Sequence, residues 1–556
     1  MIDKFEGIIY SILDSKPKKF LVLFLTFLAF IGSLWMFPTS LVLAKMLPGK
    51  SANTYSIYVD LPSGSSHVET SKVTTCIVDI LKKESEVRDI EIFSGLGAPL
   101  DYAGLVKGSA FKRGENVAEI VVNLTDLETR DEKSFSMTHR LRPVLQDACS
   151  IIKKGTSIKM VEEPAGPPTL AAIVVELYGE DGAGLSSLGA RIKEILKETD
   201  GLVDVDTLED DIYEKFELGI DKKKIIRSGL SIKQVNEILY LAFEGSEITV
   251  KNSNDSPEQI PLFLVLSQDS KSLKTFSKIS LERKLSSLKL VNNKGYMVPL
   301  NELVSVRLAK SRPAIMSKNL QRVLVIVAET DMVSQVYPLL DARSEIKEKL
   351  GDDFEITSGS LFNLNLVDRK TNAEYSLVWD GEMKVSMDTF RDLGAAFITA
   401  LVVIFLLMVI YYKSFALSGI VLLGSFLSII GVIVGHWVID VFTQETFFLT
   451  ATSLIGFIAL MGISSRNSLL LIDFTISLIE EKGMKKRRAI ANSTATRAKP
   501  IFLTAVTILL ASSMLVVDPI FGGLGVALIF GTIAAVIVSL VFIPVLMDNT
   551  KAIKEK

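Results

Sequence analysis

Leu449-Thr-Ala-Thr-Ser-Leu-Ile-Gly-Phe-Ile-Ala-Leu-Met-Gly-Ile-Ser-Ser-Arg-Asn-Ser-Leu-Leu-Leu-Ile472 is an apolar run broken by one full charge, Arg466. About 20 predominantly apolar residues suffice to cross a bilayer as a helix, and this run exceeds that. Similar runs lie on both sides of it, at about Ala395–Tyr412, Ala416–Val438, Ile501–Val517 and Gly525–Leu546. A sixth, Phe20–Leu43, stands near the start behind Lys16, Lys18 and Lys19. Trp35, Met36 and Phe37 extend it past the length of a signal-peptide core, so it reads as a retained span. Before it, Ile2–Leu13 alternates at helical spacing and reads either as a short helix on the membrane surface or as a frayed terminus.

The basic residues set the orientation. Lys4, Lys16, Lys18 and Lys19 precede the first span, and Lys413 follows the second. Lys485, Lys486, Arg487 and Arg488 follow the fourth, and Lys551, Lys554 and Lys556 lie in the tail. Six spans with both termini cytoplasmic put all of them on one side and leave about Ala44 to Met387 outside. Composition agrees, with 48% hydrophobic and 22% charged residues. That is too charged for a bare bundle and too rich in long apolar runs for a soluble enzyme. A net charge of −3 gives no argument for nucleic acid.

The insert alternates strands and helices. Tyr55–Asp60 reads as a half-buried strand and Glu69–Lys83 as an amphipathic helix. Strand-like Asp89–Phe93 and Ala118–Asn123 follow, then a helical Lys133–Ala148. This βαββαβ-like order predicts a split-βαβ sandwich. A second set begins after Pro167-Pro168 with Ala172–Tyr178, Leu185–Thr199 and Leu202–Leu208. It resumes only at Arg322–Glu329, Val333–Leu350 and Phe354–Ser358, so a separate block at about Asp210–Ala309 interrupts it. Cys76 and Cys149 both fall in the insert, where one disulfide and two buried free thiols are both open. His67 and His139 have no metal-like spacing, and His436 with Trp437 reads as a boundary anchor at the outer end of the third span. No GxxxxGK[ST] loop is present to cradle ATP.

Several stretches, in order and at suitable spacing, resemble one family. They are Val59-Asp-Leu-Pro-Ser-Gly-Ser65 with Glu69-Thr70, and Pro164-Ala-Gly-Pro-Pro168 with Val175-Glu-Leu-Tyr-Gly179. They continue with Ile220-Asp221 through Ser228-Gly-Leu-Ser231 to Ala242-Phe-Glu-Gly245, and with Gly462-Ile-Ser-Ser-Arg-Asn-Ser468 through Leu471-Ile-Asp-Phe474. Arg497-Ala-Lys-Pro-Ile-Phe-Leu-Thr504 completes the set. The chain resembles the C-terminal half, from seventh to twelfth span, of the permease of resistance–nodulation–division (RND) efflux transporters. The resemblance implies an α-helical membrane bundle of six spans with a large α+β periplasmic insert. That insert would consist of split-βαβ (ferredoxin-like) porter subdomains and an inserted docking subdomain. Residues 1–18 would be a cytoplasmic amphipathic segment and 19–43 the first span. The first porter subdomain would be 44–163, and the second 164–209 with 310–387, the latter including a junction marked by Trp379-Asp380 and Phe390-Arg-Asp392. Docking would fall to 210–309, five spans to 388–548 and a cytoplasmic tail to 549–556.

Ionisable residues inside a membrane are costly and point to function. Arg466 lies within the fourth span, and Asp473, seven positions later, returns to nearly the same face. Their rise of roughly 10 Å prevents a tight pair on one helix. Arginine keeps its proton and must find a counter-charge. The other spans of this chain hold no central carboxylate, so Arg466 points to acids on another chain. Asp210-Asp211 and Asp352-Asp353 are adjacent acids, but both pairs lie in the insert. The resemblance implies the same, since the family's proton-binding aspartates sit on a span of its N-terminal half. Many members have lysine where Arg466 stands, a base that can deprotonate. By resemblance Thr504 belongs to the relay, Arg497 guards its cytoplasmic mouth, and Asn467 is a hydrogen-bonding neighbour of Arg466. The bland alternatives are a hydroxyl bonded to its own backbone for Thr504 and a positive-inside residue for Arg497.

The expected function is therefore a permease half-subunit of a proton-driven tripartite exporter in the bacterial inner membrane, a secondary transporter with no cofactor. Its expected partners are a separate chain supplying the N-terminal half, a periplasmic adaptor and an outer-membrane channel, in a threefold assembly. The substrate would be small and hydrophobic or amphiphilic, since clustered Met, Cys or His for soft ions is missing, and no spacing rule reveals the residues that bind it. The rival is a non-transporting membrane-anchored assembly or regulatory subunit. Retention of costly Arg466, Asp473 and Thr504 speaks against it.

Overall fold

The computed structural model describes residues 2–554 apart from 50, 100, 101, 163–165, 167, 168, 256–258, 274, 332, 444 and 445. Of the features above, Pro164, Ala165, Pro167 and Pro168 of the crossing, and Lys556 of the tail, lie outside the described residues.

The chain opens with α1 (Ile2–Asp14), a helix that buries Ile9 and Leu13. The first span follows as α2 (Lys16–Trp35). It ends short of the apolar run because Pro38 lacks an N–H and restricts the residue before it.

The first sandwich comprises β1 (Thr54–Asp60), α3 (His67–Leu81), β2 (Val87–Leu96), β3 (Arg113–Leu124), α4 (Ser134–Cys149) and β4 (Ser157–Glu162). Its sheet is antiparallel in the order β2-β3-β1-β4. Tyr55, Ile57 and Val59 alternate into a core completed by Val73, Ile77 and Leu81 of α3 and by Met137, Leu141 and Leu145 of α4. A reciprocal Ser66–Glu69 capping box starts α3. Cys76 of α3 and Cys149 at the end of α4 form a disulfide with their Cα atoms 5.8 Å apart, which decides between the two alternatives.

The second sandwich contains β5 (Ile173–Tyr178), α5 (Gly182–Glu198), β6 (Leu202–Thr207), β7 (Gln321–Thr330), α6 (Val336–Leu350), β8 (Phe354–Ser358), β9 (Asn363–Asp368) and β10 (Glu374–Asp380). Its strands run β7-β5-β10-β9-β8, and β6 pairs with β7. The strands β9 and β10 were not expected. Both alternate with period 2, and Leu364, Leu366, Leu377 and Trp379 are fully buried. Trp379 is thus a core residue of the second sheet. The junction lies at the next two residues, where β10 passes through Gly381 (φ 90°) straight into α7 (Glu382–Tyr412). A Cβ at Gly381 would come within 2.7 Å of the Ala171 carbonyl oxygen, so only glycine fits.

Residues Pro62–Ser65 and Asp210–Ala314 form a separate compact unit. In it Glu214–Ile220 pairs with Val304–Lys310, and Ile225, Val235, Leu285 and Leu300 form its core. An exposed hairpin joins Ser246–Lys251 to Ile260–Leu264.

The bundle continues with α8 (Phe415–Phe426) and α9 (Ile429–Phe442), which together make the third span. After them come α10 (Ala451–Glu480), α11 (Lys486–Val516) and α12 (Gly522–Ile537). Among the described residues, six helical segments are long and apolar enough to cross a membrane. The helix α7 starts well before Ala395 and α11 well before Ile501. Apolar length marks only the stretch in hydrocarbon, while the polar start of α11 is supported by α1, whose Ile9 and Leu13 cluster with Ala489, Ile490 and Ala491. The helices α9, α10 and α11 all pack on α12. Gly431 of α9 allows the closest approach, since a Cβ there would lie 2.2 Å from the Phe530 carbonyl oxygen. His436 is fully buried rather than a boundary anchor. Its Nδ1 lies 2.7 Å from the Val432 carbonyl and its Nε2 2.8 Å from the Ser453 hydroxyl, so both ring nitrogens are satisfied.

The disulfide closes a loop with a sequence separation of 73. A loop of that size stabilises a folded chain by about 4 kcal/mol on the chain-entropy account. Cys76→Ser is expected to lower the unfolding midpoint of the insert markedly while leaving the protein in the membrane. Thiol labelling before and after reduction, with thermal unfolding of the purified protein, checks this.

Candidate functional site

The helix α10 has two sides. Ser464, Asn467, Ser468, Leu471 and Thr475 are buried in the bundle, and Ser465, Ser468 and Thr475 bond carbonyls one turn back. On the other side Ile455, Ala459, Gly462, Arg466 and Leu470 form an exposed stripe at helical spacing. Arg466 has no hydrogen bond or ion pair among the described residues. Asn467 points into the bundle, away from Arg466.

Asp473 lies two turns further on. Its carboxylate accepts from the Tyr412 hydroxyl at 2.8 Å and the Tyr411 hydroxyl at 3.2 Å, both at the end of α7. Sequence reasoning missed this tyrosine pair. The signal was there, because Tyr411-Tyr412-Lys413 places two amphipathic rings at a span's basic end. The Arg497 guanidinium lies 4.7 Å from the Phe474 ring centre, and its Nε is buried without a hydrogen-bond partner among the described residues. Thr504 donates to the Pro500 carbonyl at 2.8 Å, the bland alternative for it. The structure thus gathers Asp473, Phe474 and Arg497 at one end of the bundle. No ion pair or hydrogen bond among the described residues links Arg466 or Thr504 to them.

A second charged cluster joins the two sandwiches. Arg142 of α4 donates to Asp331 at 2.8 Å and to Asp204 of β6 at 3.3 Å. Asp204 also accepts from the Met160 N–H at 3.3 Å, and it sits in the left-handed region at φ 53°. Lys159 of β4 bridges Asp60 of β1 and Asp206 of β6, and Lys193 donates to Asp206 at 2.8 Å. Burial pushes the Asp204 carboxyl up to about 6 despite the pull of Arg142. Burial also opposes ionisation of Asp206, but Lys159 and Lys193 outweigh it and hold that carboxyl at about 2.

These features define a multi-pass membrane protein that carries sheet-rich domains and keeps a guanidinium on an uncovered helix face. The chain belongs to the AcrB/AcrD/AcrF family of RND permeases, which matches residues 4–548. It is 21% identical to the swarming motility protein SwrC of Bacillus subtilis, over 97% of this chain and 46% of that protein. It is also 21% identical to the multidrug resistance protein MdtF of Escherichia coli K12, over 95% of this chain and 47% of that one. The crystal structure of a heavy metal efflux pump superposes with a TM-score of 0.70 at 17% identity, covering 97% of this chain and 51% of that one. The chain therefore has the RND permease fold, and it spans about half the length of the curated relatives it matches.

The two aspartates of the seam titrate in opposite senses. The raised pKa of Asp204 gives a stabilisation that is full below about pH 4 and lost as pH rises to about 6. The depressed pKa of Asp206 gives one that is full above about pH 4 and lost as pH falls toward 2. Asp206→Asn is expected to destabilise the insert at pH 7 by about 2 kcal/mol, and Asp204→Asn to abolish the loss of stability that wild type shows between about pH 4 and 6. Below pH 4 Asp204→Asn should match wild type. Denaturant unfolding followed by Trp379 fluorescence across this range checks both.

Proposed function

We propose that the chain is a permease half-subunit of a proton-driven tripartite exporter, completed by a chain that supplies the N-terminal half. The observation that carries this reading is the exposed stripe of α10. A guanidinium within a membrane span demands a counter-charge, and among the described residues none reaches Arg466. Acidic residues on a second set of spans, laid against that stripe, would meet the demand. Arg466 would hold the proton-binding acids by attraction, with Thr504, Asp473 and Arg497 completing a path whose inner end is the Asp473–tyrosine group. Coverage of about half of SwrC and MdtF agrees with a missing half.

In this reading the two sandwiches are porter subdomains and the Asp210–Ala314 unit docks toward an adaptor and an outer-membrane channel, in a threefold assembly. The insert faces the periplasm and both termini face the cytoplasm. The clustering of basic residues supports that orientation, and so does the Cys76–Cys149 disulfide, a bond favoured on the oxidising side. Protons moving inward would drive the porter subdomains between conformations that pass a small hydrophobic or amphiphilic compound outward. The name of MdtF as a multidrug resistance protein supports an organic substrate. The heavy-metal neighbour points the other way, but both thiols of this chain are spent in the disulfide.

The test is to purify the chain from its native membrane under mild conditions and identify what accompanies it. Recovery with a second chain of similar length carrying adjacent aspartates in a span is expected. Arg466→Ala in that complex should then abolish proton-coupled export while leaving assembly intact. Recovery of the chain alone or only with itself would sink the split-pump reading.

A further inference from the structure

The helix α1 has two apolar sides. Ile9 and Leu13 are buried against α11, whereas Ile8 is 57% exposed. The carboxylates of α1 divide unevenly between them. Glu6 accepts from Asn492 and Asp14 from Arg487, each at 3.1 Å, so both are held on the α11 side. At the start of α2, Lys19 is paired with Asp548 at 2.8 Å. Asp3 remains in the first turn of α1, one position round the helix from Lys4.

The outer side keeps its cations. Lys4, Gly7, Ile8, Ser11 and Ile12 of α1 line, with Lys18 of α2, an open groove of about 570 Å³. Lys18 donates to the Ser11 hydroxyl at 2.6 Å, and among the described residues no carboxylate pairs with Lys4 or Lys18. The space beside Gly7 is open, since a Cβ there would meet nothing within 4 Å. The groove opens onto an apolar wall, because Lys18, Leu21, Leu25 and Leu28 recur on one stripe of α2 and the three leucines are all about half exposed. Two ammonium groups without a carboxylate partner among the described residues, one of them on the Ser11 hydroxyl, thus sit at the head of an exposed apolar strip.

We propose that the α1–α2 groove binds an anionic phospholipid. Its phosphate would rest between Lys4 and Lys18 with Ser11 donating, and one acyl chain would lie along Leu21, Leu25 and Leu28. Basic pockets at the ends of membrane helices attract anionic headgroups because each lysine near the surface adds a screened but favourable attraction. Ile8 and Ile12 exclude water beside the phosphate, which strengthens that attraction relative to an open surface. The inference is independent of whether the chain pumps, since it needs only that α2 spans the membrane.

The full chain, in micelles supplemented with equal phosphatidylglycerol and phosphatidylethanolamine, is released and weighed by native mass spectrometry with bound lipid retained. Preference for phosphatidylglycerol on the order of tenfold is expected. The Lys4→Ala/Lys18→Ala double variant should lose the preference and Lys4→Arg/Lys18→Arg should keep it. Lys482→Ala/Lys499→Ala removes the same charge elsewhere and should also keep it. Equal retention of the two lipids by wild type overturns the proposal, and this comparison decides alone if the alanine pair does not fold. Persistence of the preference in the alanine pair overturns it too. Displacement of the lipid by millimolar inorganic phosphate would assign the groove to free phosphate and overturn the lipid assignment.

Discussion

Arg466 cannot shed its charge at any ordinary pH, and hydrocarbon cannot solvate it. That single residue fixes which side of α10 can face lipid and which cannot. The bundle is arranged accordingly. The buried side of α10 carries hydroxyls that bond their own backbone and small residues that admit α12 closely, as where a Cβ added at Gly456 would lie 3.0 Å from the Ala527 methyl. The other side is left for something not contributed by the described residues. The helices α8, α9, α10 and α12 accordingly form the packed centre, while α2 and α7 keep most of their apolar surface exposed.

Much of this was legible in the sequence, because apolar length and helical period are direct consequences of the bilayer's thickness and of backbone satisfaction. Each of the six apolar runs carries a helix, the first ending early at Trp35, and the first strand and helix of the insert lie within a few residues of where alternation and amphipathic period put them. What was not legible depends on neighbours. The helices α7 and α11 run past their apolar runs because other elements support the polar turns. The strands β9 and β10 were overlooked because their alternating pattern lies beside a family motif that marks a junction. His436 looked like an interfacial residue because a histidine near a span's end is cheap at the headgroups. Only packing shows that Ser453 is waiting for it. The partner of Asp473 escaped for the same reason, since the two tyrosines are about 60 positions away in sequence.

The seam between the sandwiches is built differently from either core. Each sandwich interior is apolar, whereas the contact between them is held by Arg142, Lys159, Asp204, Asp206 and Asp331. Charges of this kind tolerate separation, because water can replace each partner as the surfaces part. Apolar interiors have no such substitute. A left-handed Asp204 within β6 adds a local cost that the surrounding bonds hold in place. Two sandwiches that meet through ion pairs have a seam that can open without exposing either interior.

The passage from β10 through Gly381 into α7 joins the second sandwich directly to the bundle. The helix is continuous with a central strand and its first N–H groups donate to the carbonyls of Ala171 and Ala172 beside β5. Sheet and helix are therefore tied at their junction and form one continuous arm. An arm of 31 residues is about 46 Å long, so a tilt of about 5° moves its far end by about 4 Å. Tyr411 and Tyr412 stand at that far end, with their hydroxyls on Asp473. Any turn of that sheet is in this way geared, through one helix, to a tyrosine–carboxylate contact at the other end of the bundle.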